Sequence, residues 1–254
     1  MNNNINNNNN NIVIIMAGGL GKRMKSDTPK VLHKIKDLPM IVHVINKALE
    51  INPYKICIIT GRYFEHIYEM ITRYITLKII ASKIKFINQP EALGTGNAIL
   101  CCKPYLLSVI NEINNVIILS GDVPLIKSST IRNLLNSCKY ANILACHVDD
   151  SCGYGRIILD KNKFIKIVEE KDCTEEEKLI KFINTGIYVF NKDILINNID
   201  KITNNNSQRE YYLTDILEII NSQDDLYVDY EIIEDILEVS GVNTIEQLNA
   251  LNSL

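Results

Sequence analysis

Ile12-Val13-Ile14-Ile15-Met16 is an unbroken apolar run, preceded by asparagines and followed by Ala17-Gly18-Gly19-Leu20-Gly21. Its shortness and its β-branched content predict a strand buried on both faces that ends in a glycine turn. From Met40 to Glu50 the period changes. Ile41, Val44, Ile45, Ala48 and Leu49 fall on one side of a helix. The same alternation then repeats. Strands are predicted over Lys55–Thr60, Lys83–Asn88, Asn115–Leu119 and Ala141–Val148, and helices over Arg62–Tyr74, Gly96–Cys102 and Ser128–Cys138. Strands alternating with helices imply an α/β fold: a Rossmann-like, mostly parallel sheet flanked by helices on both faces.

The pattern shifts after Asp149. Arg156–Asp160 and Phe164–Glu169 read as a hairpin around Lys161-Asn162-Lys163, and Gly186–Phe190 as a further strand. Ser207 and Glu210 have capping-box spacing ahead of a helix expected from Gln208 to Ile220. Leu226–Tyr230 and Leu237–Ser240 read as short strands, and Thr244 with Gln247 caps a last helix. No composition shift marks a linker, and no repeat is visible. The expected organisation is an Asn-rich disordered tail over residues 1–11, then one domain over 12–254. Within it a larger α/β lobe (12–150) adjoins a smaller, partly antiparallel lobe (151–254).

Composition narrows the function class. The 254 residues are 46% hydrophobic and 22% charged, with a net charge of -3. That is ordinary for a globular protein and argues against a basic nucleic-acid binder. No apolar run reaches the length of a membrane span, and no basic segment followed by an apolar run opens the chain. The seven cysteines form no CxxC pair, and the four histidines are scattered, which favours free thiols over a zinc site. The expectation is a cytoplasmic protein.

Candidate chemistry gathers where predicted strands end. The turn Ala17-Gly18-Gly19-Leu20-Gly21-Lys22-Arg23-Met24 offers close backbone approach, clustered N–H groups and two cations, a cradle for phosphate at the carboxyl end of a strand. It is not a P-loop, since Arg23 follows Lys22, and Met24 replaces the third glycine of a dinucleotide fingerprint. In Thr28-Pro29-Lys30-Val31-Leu32 the proline restrains a lysine suited to a phosphate. In Gln89-Pro90-Glu91-Ala92-Leu93-Gly94-Thr95, Gln89 suits a base edge, Gly94 permits close approach, and Thr95 is either a helix cap or a contact. Asp122, in Ser120-Gly121-Asp122-Val123-Pro124, ends a buried strand and is placed to hold Mg²⁺. Asn243 is either a turn residue or a second oxygen ligand. Gly155, Glu169 and Asn184 stand at the ends of segments in the second lobe; Glu169 and Asn184 suit sugar hydroxyls and an amide, while each taken alone reads as an ordinary turn or surface group.

Together these motifs resemble the uridylyltransferase domains of the bacterial bifunctional N-acetylglucosamine-1-phosphate uridylyltransferases. The matching segments run in family order from AGGLGKRM through TPKVLH, QPEALGTGNA, SGDVPL, GYGRI, VEEKD, INTGIYVF and NNNSQREYYLTDI to GVN. The resemblance covers nearly all of the chain after the tail. It implies synthesis of UDP-N-acetylglucosamine and pyrophosphate from UTP and N-acetylglucosamine 1-phosphate, with Mg²⁺ as cofactor. It implies that Ala17, Gly18, Gly19, Gly21 and Lys22 wrap the nucleotide and that Arg23 and Lys30 act catalytically on phosphate. Gln89, Gly94 and Thr95 would read uracil. Asp122 and Asn243 would hold the metal, and Gly155, Glu169 and Asn184 the acetylated sugar.

The sequence departs from the family at several points. Leu20 stands where lysine is frequent, Lys22 where threonine is usual, Ser120 where some relatives carry an aromatic, and Arg209 where a small residue is common. The sequence ends at Leu254 without hexapeptide repeats, so no β-helix acetyltransferase domain and no trimer built through one are expected. The alternatives are a related enzyme using another sugar 1-phosphate or dTTP, and a non-catalytic subunit that only binds ligand. The partners expected are small molecules, with neither nucleic acid nor membrane, in a monomer or small homo-oligomer.

Overall fold

The computed structural model describes residues 10–19, 21–24 and 26–253. The tail reading for residues 1–9, the departure at Leu20 and the side chain of Lys22 lie outside the described residues.

In chain order the strands and helices are β1 (Asn11–Met16), β2 (Lys34–Ile35), β3 (Leu38–Pro39), α1 (Met40–Glu50), β4 (Lys55–Thr60), α2 (Phe64–Tyr74), α3 (Leu77–Lys83), β5 (Ile84–Asn88) and α4 (Thr95–Ser108). They continue with β6 (Asn115–Ser120), α5 (Ser128–Ser137), β7 (Ala141–His147), β8 (Gly155–Asp160), β9 (Lys163–Val168), α6 (Glu175–Lys178) and β10 (Phe182–Asn191). The last elements are α7 (Lys192–Asn198), α8 (Asp215–Asn221), β11 (Val228–Ile233), α9 (Ile236–Val239) and α10 (Ile245–Asn252).

Among the described residues one nine-stranded sheet runs in the order β11-β7-β10-β6-β1-β4-β5, with β8 and β9 branching from β10. β1, β4, β5 and β6 pair in parallel, as do β7 and β11, whereas β10 is antiparallel to both β6 and β7. Strands β8 to β11 therefore belong to the same sheet as β1. Alternation along β1 builds two cores. Val13 and Ile15 face α1, α2 and α5, while Ile12 and Ile14 face α4, α7 and α8. A third cluster, of Met24, Ile35, Met40, Val242, Leu248 and Leu251, anchors α10 to the first loop.

Several sequence expectations need correction. Asn10 and Asn11 belong to the fold and not to the tail. Asn11 opens β1, its carbonyl accepts from Tyr54 N at 2.8 Å, and the Asn10 carbonyl accepts from Asn114 N at 2.6 Å. α4 runs beyond Cys102 and through Pro104, because buried Leu106 continues its contact with the sheet. The helix expected from Gln208 begins only at Asp215. The backbone before it is tied elsewhere: Tyr211 N donates to Leu93 O at 2.8 Å, and Gly96 N donates to Tyr211 O at 2.7 Å. Ser207 makes no capping box; its N–H goes to Asp172 Oδ1 at 2.9 Å. Leu237–Ser240 is not a strand. It contributes to a single helical turn that buries Glu238 against Lys127, 2.9 Å from its ammonium. The strand expected at Gly186 is longer, Phe182–Asn191, with its register shifted between Asn184 and Tyr188. No helix among the described residues is long and apolar enough to cross a membrane.

Candidate active site

β1, β4, β5 and β6 all end on one side of the sheet, and the candidate residues collect there. The loop after β1 is pinned from both neighbours: Ala17 N donates to Ile59 O at 2.9 Å, and Gly121 N donates to Met16 O at 3.0 Å. Gly21 has φ +59, and a Cβ there would lie 2.8 Å from Lys30 Cβ, so the loop closes on the lysine only with glycine at this point. The tight turn that follows buries Met24 in the third core cluster and leaves Arg23 directed at the other side of the site.

Arg23, Lys30, Asp122 and Asn243 meet at the centre. Asp122 is buried; its Oδ2 accepts from Lys30 Nζ, and its Oδ1 accepts from Ser120 Oγ at 2.5 Å. Asn243 Oδ1 accepts from Lys30 Nζ at 3.1 Å and from Arg23 at 3.0 Å. Asn243 is held by α10, whose Gln247 Oε1 accepts its N–H at 2.7 Å, and the loop returns to Asp122 through Val242 N donating to the Asp122 carbonyl at 3.0 Å. The carboxylate and the amide oxygen thus converge on one cation. Two hard oxygen donors beside an open cavity match the protein share of a magnesium site that relies on phosphates and water for its remaining ligands.

That cavity, about 550 Å³, is lined by Ala17, Gly18, Gly19, Gly21, Arg23, Lys30, Gln89, Gly94, Thr95, Asp122 and Asn243. Sequence reasoning named all of these. It assigned no role to Ser120, Gln208 or Glu210, which also line the cavity. The last two arrive from a loop read as helix. Asn206 folds that loop by accepting Glu210 N at 3.1 Å and donating to Glu210 O at 2.6 Å. Arg209 sits between them at φ +55. Thr95 lines the cavity and is not the helix cap, which is Gly94; its Oγ1 accepts Leu213 N at 3.0 Å.

Gly155, Glu169 and Asn184 do not line this cavity; they form a second cluster. Gly155 pairs with Asn184 across β8 and β10, and a Cβ on Gly155 would lie 3.5 Å from Glu169 Oε2 and 3.7 Å from Asn184 Cβ. Glu169 accepts from Thr214 Oγ1 at 2.9 Å. Burial pushes its carboxyl up, the Thr214 hydrogen bond works the other way, and the charges of Asp172 and Glu210 add to the rise. Asn184 Nδ2 donates to the Tyr188 hydroxyl at 2.6 Å, and its Oδ1 accepts Gly186 N at 3.1 Å. Glu210 connects the two regions, lining the cavity while its charge acts on Glu169.

Comparison with known proteins decides the family. Residues 12–236 match the family described as nucleotidyl transferase. The chain belongs to the nucleotidyl transferase family. Among its relatives, this nucleotidyl transferase is 42% identical over 246 residues to the probable UDP-N-acetylglucosamine pyrophosphorylase of Acanthamoeba polyphaga mimivirus, with 94% of each chain covered. It is 39% identical over 248 residues to the bifunctional protein GlmU of Clostridium tetani, covering 94% of this chain and 51% of that protein. The nucleotidyl transferase thus spans about half the length of that bifunctional relative. A putative glucose-1-phosphate thymidylyltransferase from Bacillus anthracis, crystallised with a sucrose, shares the fold. Its TM-score is 0.71 at 22% identity, over 96% of this chain and 94% of that one.

Proposed function

We propose that this nucleotidyl transferase forms UDP-N-acetylglucosamine and pyrophosphate from UTP and N-acetylglucosamine 1-phosphate. The observation that carries the reading is the convergence of Arg23, Lys30, Asp122 and Asn243 at the mouth of a glycine loop. The viral relative that is 42% identical, with 94% of each chain covered, is named a probable UDP-N-acetylglucosamine pyrophosphorylase, which supports the reading. In this reading residues 12–150 supply most of the nucleotide site and 151–254 most of the sugar site, within one domain. The substrates are small molecules, and the setting is cytoplasmic.

The reaction is an in-line displacement. A phosphate oxygen of the sugar phosphate attacks the α-phosphorus of UTP, the bond from that phosphorus to the bridging oxygen breaks, and pyrophosphate leaves. The nucleophile is already ionised near neutral pH, so no side chain has to remove a proton. The chain's task is to position two anions and to offset their charge. Lys30 and Arg23 bring two cations to the cavity, and the Gly18–Gly19 backbone allows phosphate to approach closely. Glu169 and Asn184 present an acceptor and an amide to the sugar, with Thr214 and Tyr188 fixing their orientation. Asp122 Oδ2 and Asn243 Oδ1 are the groups that would hold Mg²⁺, whose contribution when bound is to neutralise phosphate charge and orient the reacting groups. Both oxygens already face a cation, the Lys30 ammonium, which supports the assignment.

The test is Mg²⁺-dependent pyrophosphate release with UTP and N-acetylglucosamine 1-phosphate. Glucose 1-phosphate, glucosamine 1-phosphate and dTTP serve as comparisons. Turnover confined to UTP with the acetylated sugar is expected. Turnover with another pair would reassign the substrates, and ligand binding with no release from folded protein would make the chain a binding subunit.

A further inference from the structure

The cavity contains a buried amide that the proposed mechanism does not use. Gln89 is buried and lines the cavity. Its Nε2 donates to the Gly94 carbonyl at 3.1 Å and to Asn97 Oδ1 at 3.0 Å. A backbone carbonyl only accepts, so the end of the Gln89 amide beside Gly94 has to be the NH₂ group. With that orientation set, Asn97 has to turn its oxygen toward Gln89. Both N–H donors of the Gln89 amide are then consumed by the protein. Its Oε1 remains, placed over the glycine loop where a Cβ on Gly18 would lie 3.1 Å from it. Among the described residues no protein group donates to this oxygen.

We propose that Asn97 is a specificity-determining positioning residue, which makes Gln89 a pure acceptor toward the bound base. The inference rests on the nucleotide reading given above and deepens it. A pure acceptor matches a base that offers a ring N–H, as uracil does at N3. It opposes a base that offers a lone pair at the same position, as cytosine does. The selection comes from leaving Oε1 unpaired, or facing another acceptor, when the wrong base enters a desolvated site. Asn97 is not among the residues that line the cavity. It works by holding the Gln89 amide against the flip that would turn NH₂ toward the base, and Gly94 supplies the other half of that hold. Asn97 lies on the first turn of α4, half-buried, so its backbone position is set by the helix and not by the amide contact.

The experiment measures kcat/KM for UTP and for CTP with wild type, Asn97→Ala, Asn97→Asp and Gln89→Glu, using N-acetylglucosamine 1-phosphate. Wild type is expected to favour UTP over CTP by about a hundredfold or more. Asn97→Ala should lower that ratio by about tenfold, the effect of one hydrogen bond. Asn97→Asp keeps an acceptor for the Gln89 amide and should recover most of the ratio. Gln89→Glu keeps an acceptor but has no N–H for Gly94 or Asn97, and should lose UTP turnover. A merely structural role would depress both nucleotides together and leave the ratio unchanged. An unchanged ratio in Asn97→Ala, or an equal loss in Asn97→Asp, overturns the assignment while UTP turnover by wild type still upholds the reaction. If wild type turns over other nucleotides but not UTP, the nucleotide reading itself fails.

Discussion

Replacing Gly94 with alanine tests the junction that joins the two parts of the cavity. Gly94 has φ +110 and ψ 173, a region that is essentially glycine's alone. A Cβ would lie 2.5 Å from Tyr211 O and 2.8 Å from Tyr211 N. Both contacts are with backbone, so a side-chain rotation cannot relieve them. The Tyr211 segment must move, and with it go the Tyr211 N to Leu93 O and Gly96 N to Tyr211 O hydrogen bonds. The conformational strain is about 1–3 kcal/mol. Each hydrogen bond adds about 1 kcal/mol. The expected destabilisation is therefore about 3–5 kcal/mol, a large part of the stability of an ordinary domain. Gly186→Ala is the internal control: Gly186 also has positive φ, +78, but nothing lies within 4 Å of its would-be Cβ. Urea denaturation of both variants isolates the contact contribution, which should be about 2 kcal/mol or more. The KM for UTP should rise in Gly94→Ala, because the Gly94 carbonyl also orients Gln89. Equal destabilisation of the two variants would refute the close approach.

Other consequences can be measured independently. Asp122→Asn keeps the shape and an acceptor for Ser120, yet removes the charge facing Lys30; turnover should fall about a thousandfold or more in steady-state assays, with an unchanged circular dichroism spectrum. Leu248→Ala opens the small core under α10 and should cost about 2–4 kcal/mol by denaturant titration. Since α10 carries the partner of Asn243, the Mg²⁺ concentration needed for half-maximal rate should rise as well. Burial, with Glu169, Glu218 and Asp172 nearby, raises the Asp215 carboxyl from 3.8 to about 6. The folded protein then binds a proton that the unfolded chain releases, so stability should increase as pH falls from 7 toward 4. Asp215→Asn should flatten that slope and stabilise the protein by about 1–2 kcal/mol at pH 8, allowing for partial solvent screening.

The α/β frame was legible because its strands are continuous Ile/Val runs and its helices carry one apolar face. β1 shows this well, with Ile12 and Ile14 packed on one side and Val13 and Ile15 on the other. Arg23, Lys30, Asp122 and Asn243 were legible because each lies in a turn marked by glycine or proline. The segment from Ser207 to Thr214 was misread, since its helical spacing is genuine. What overrides it is a long-range backbone pairing with Leu93 and Gly96, which leaves no local trace in the pattern. That error hid Gln208 and Glu210 from the site. α9 was misread for a related reason: Leu237 and Val239 alternate like a strand, but Glu238 between them is buried on Lys127. The bulge at Asn184 was half signalled by Gly186, and its side-chain partner Tyr188 was not.

Pyrophosphorolysis of UDP-N-acetylglucosamine tests the central claim most directly, because the reverse reaction reads base, sugar and chemistry in one assay. With Mg²⁺ and pyrophosphate, the protein should produce UTP and N-acetylglucosamine 1-phosphate from UDP-N-acetylglucosamine far faster than it cleaves UDP-glucose or dTDP-glucose. The Asp122→Asn variant should do so at background rate. Preferential cleavage of UDP-glucose or dTDP-glucose, or full activity in Asp122→Asn, would contradict the account.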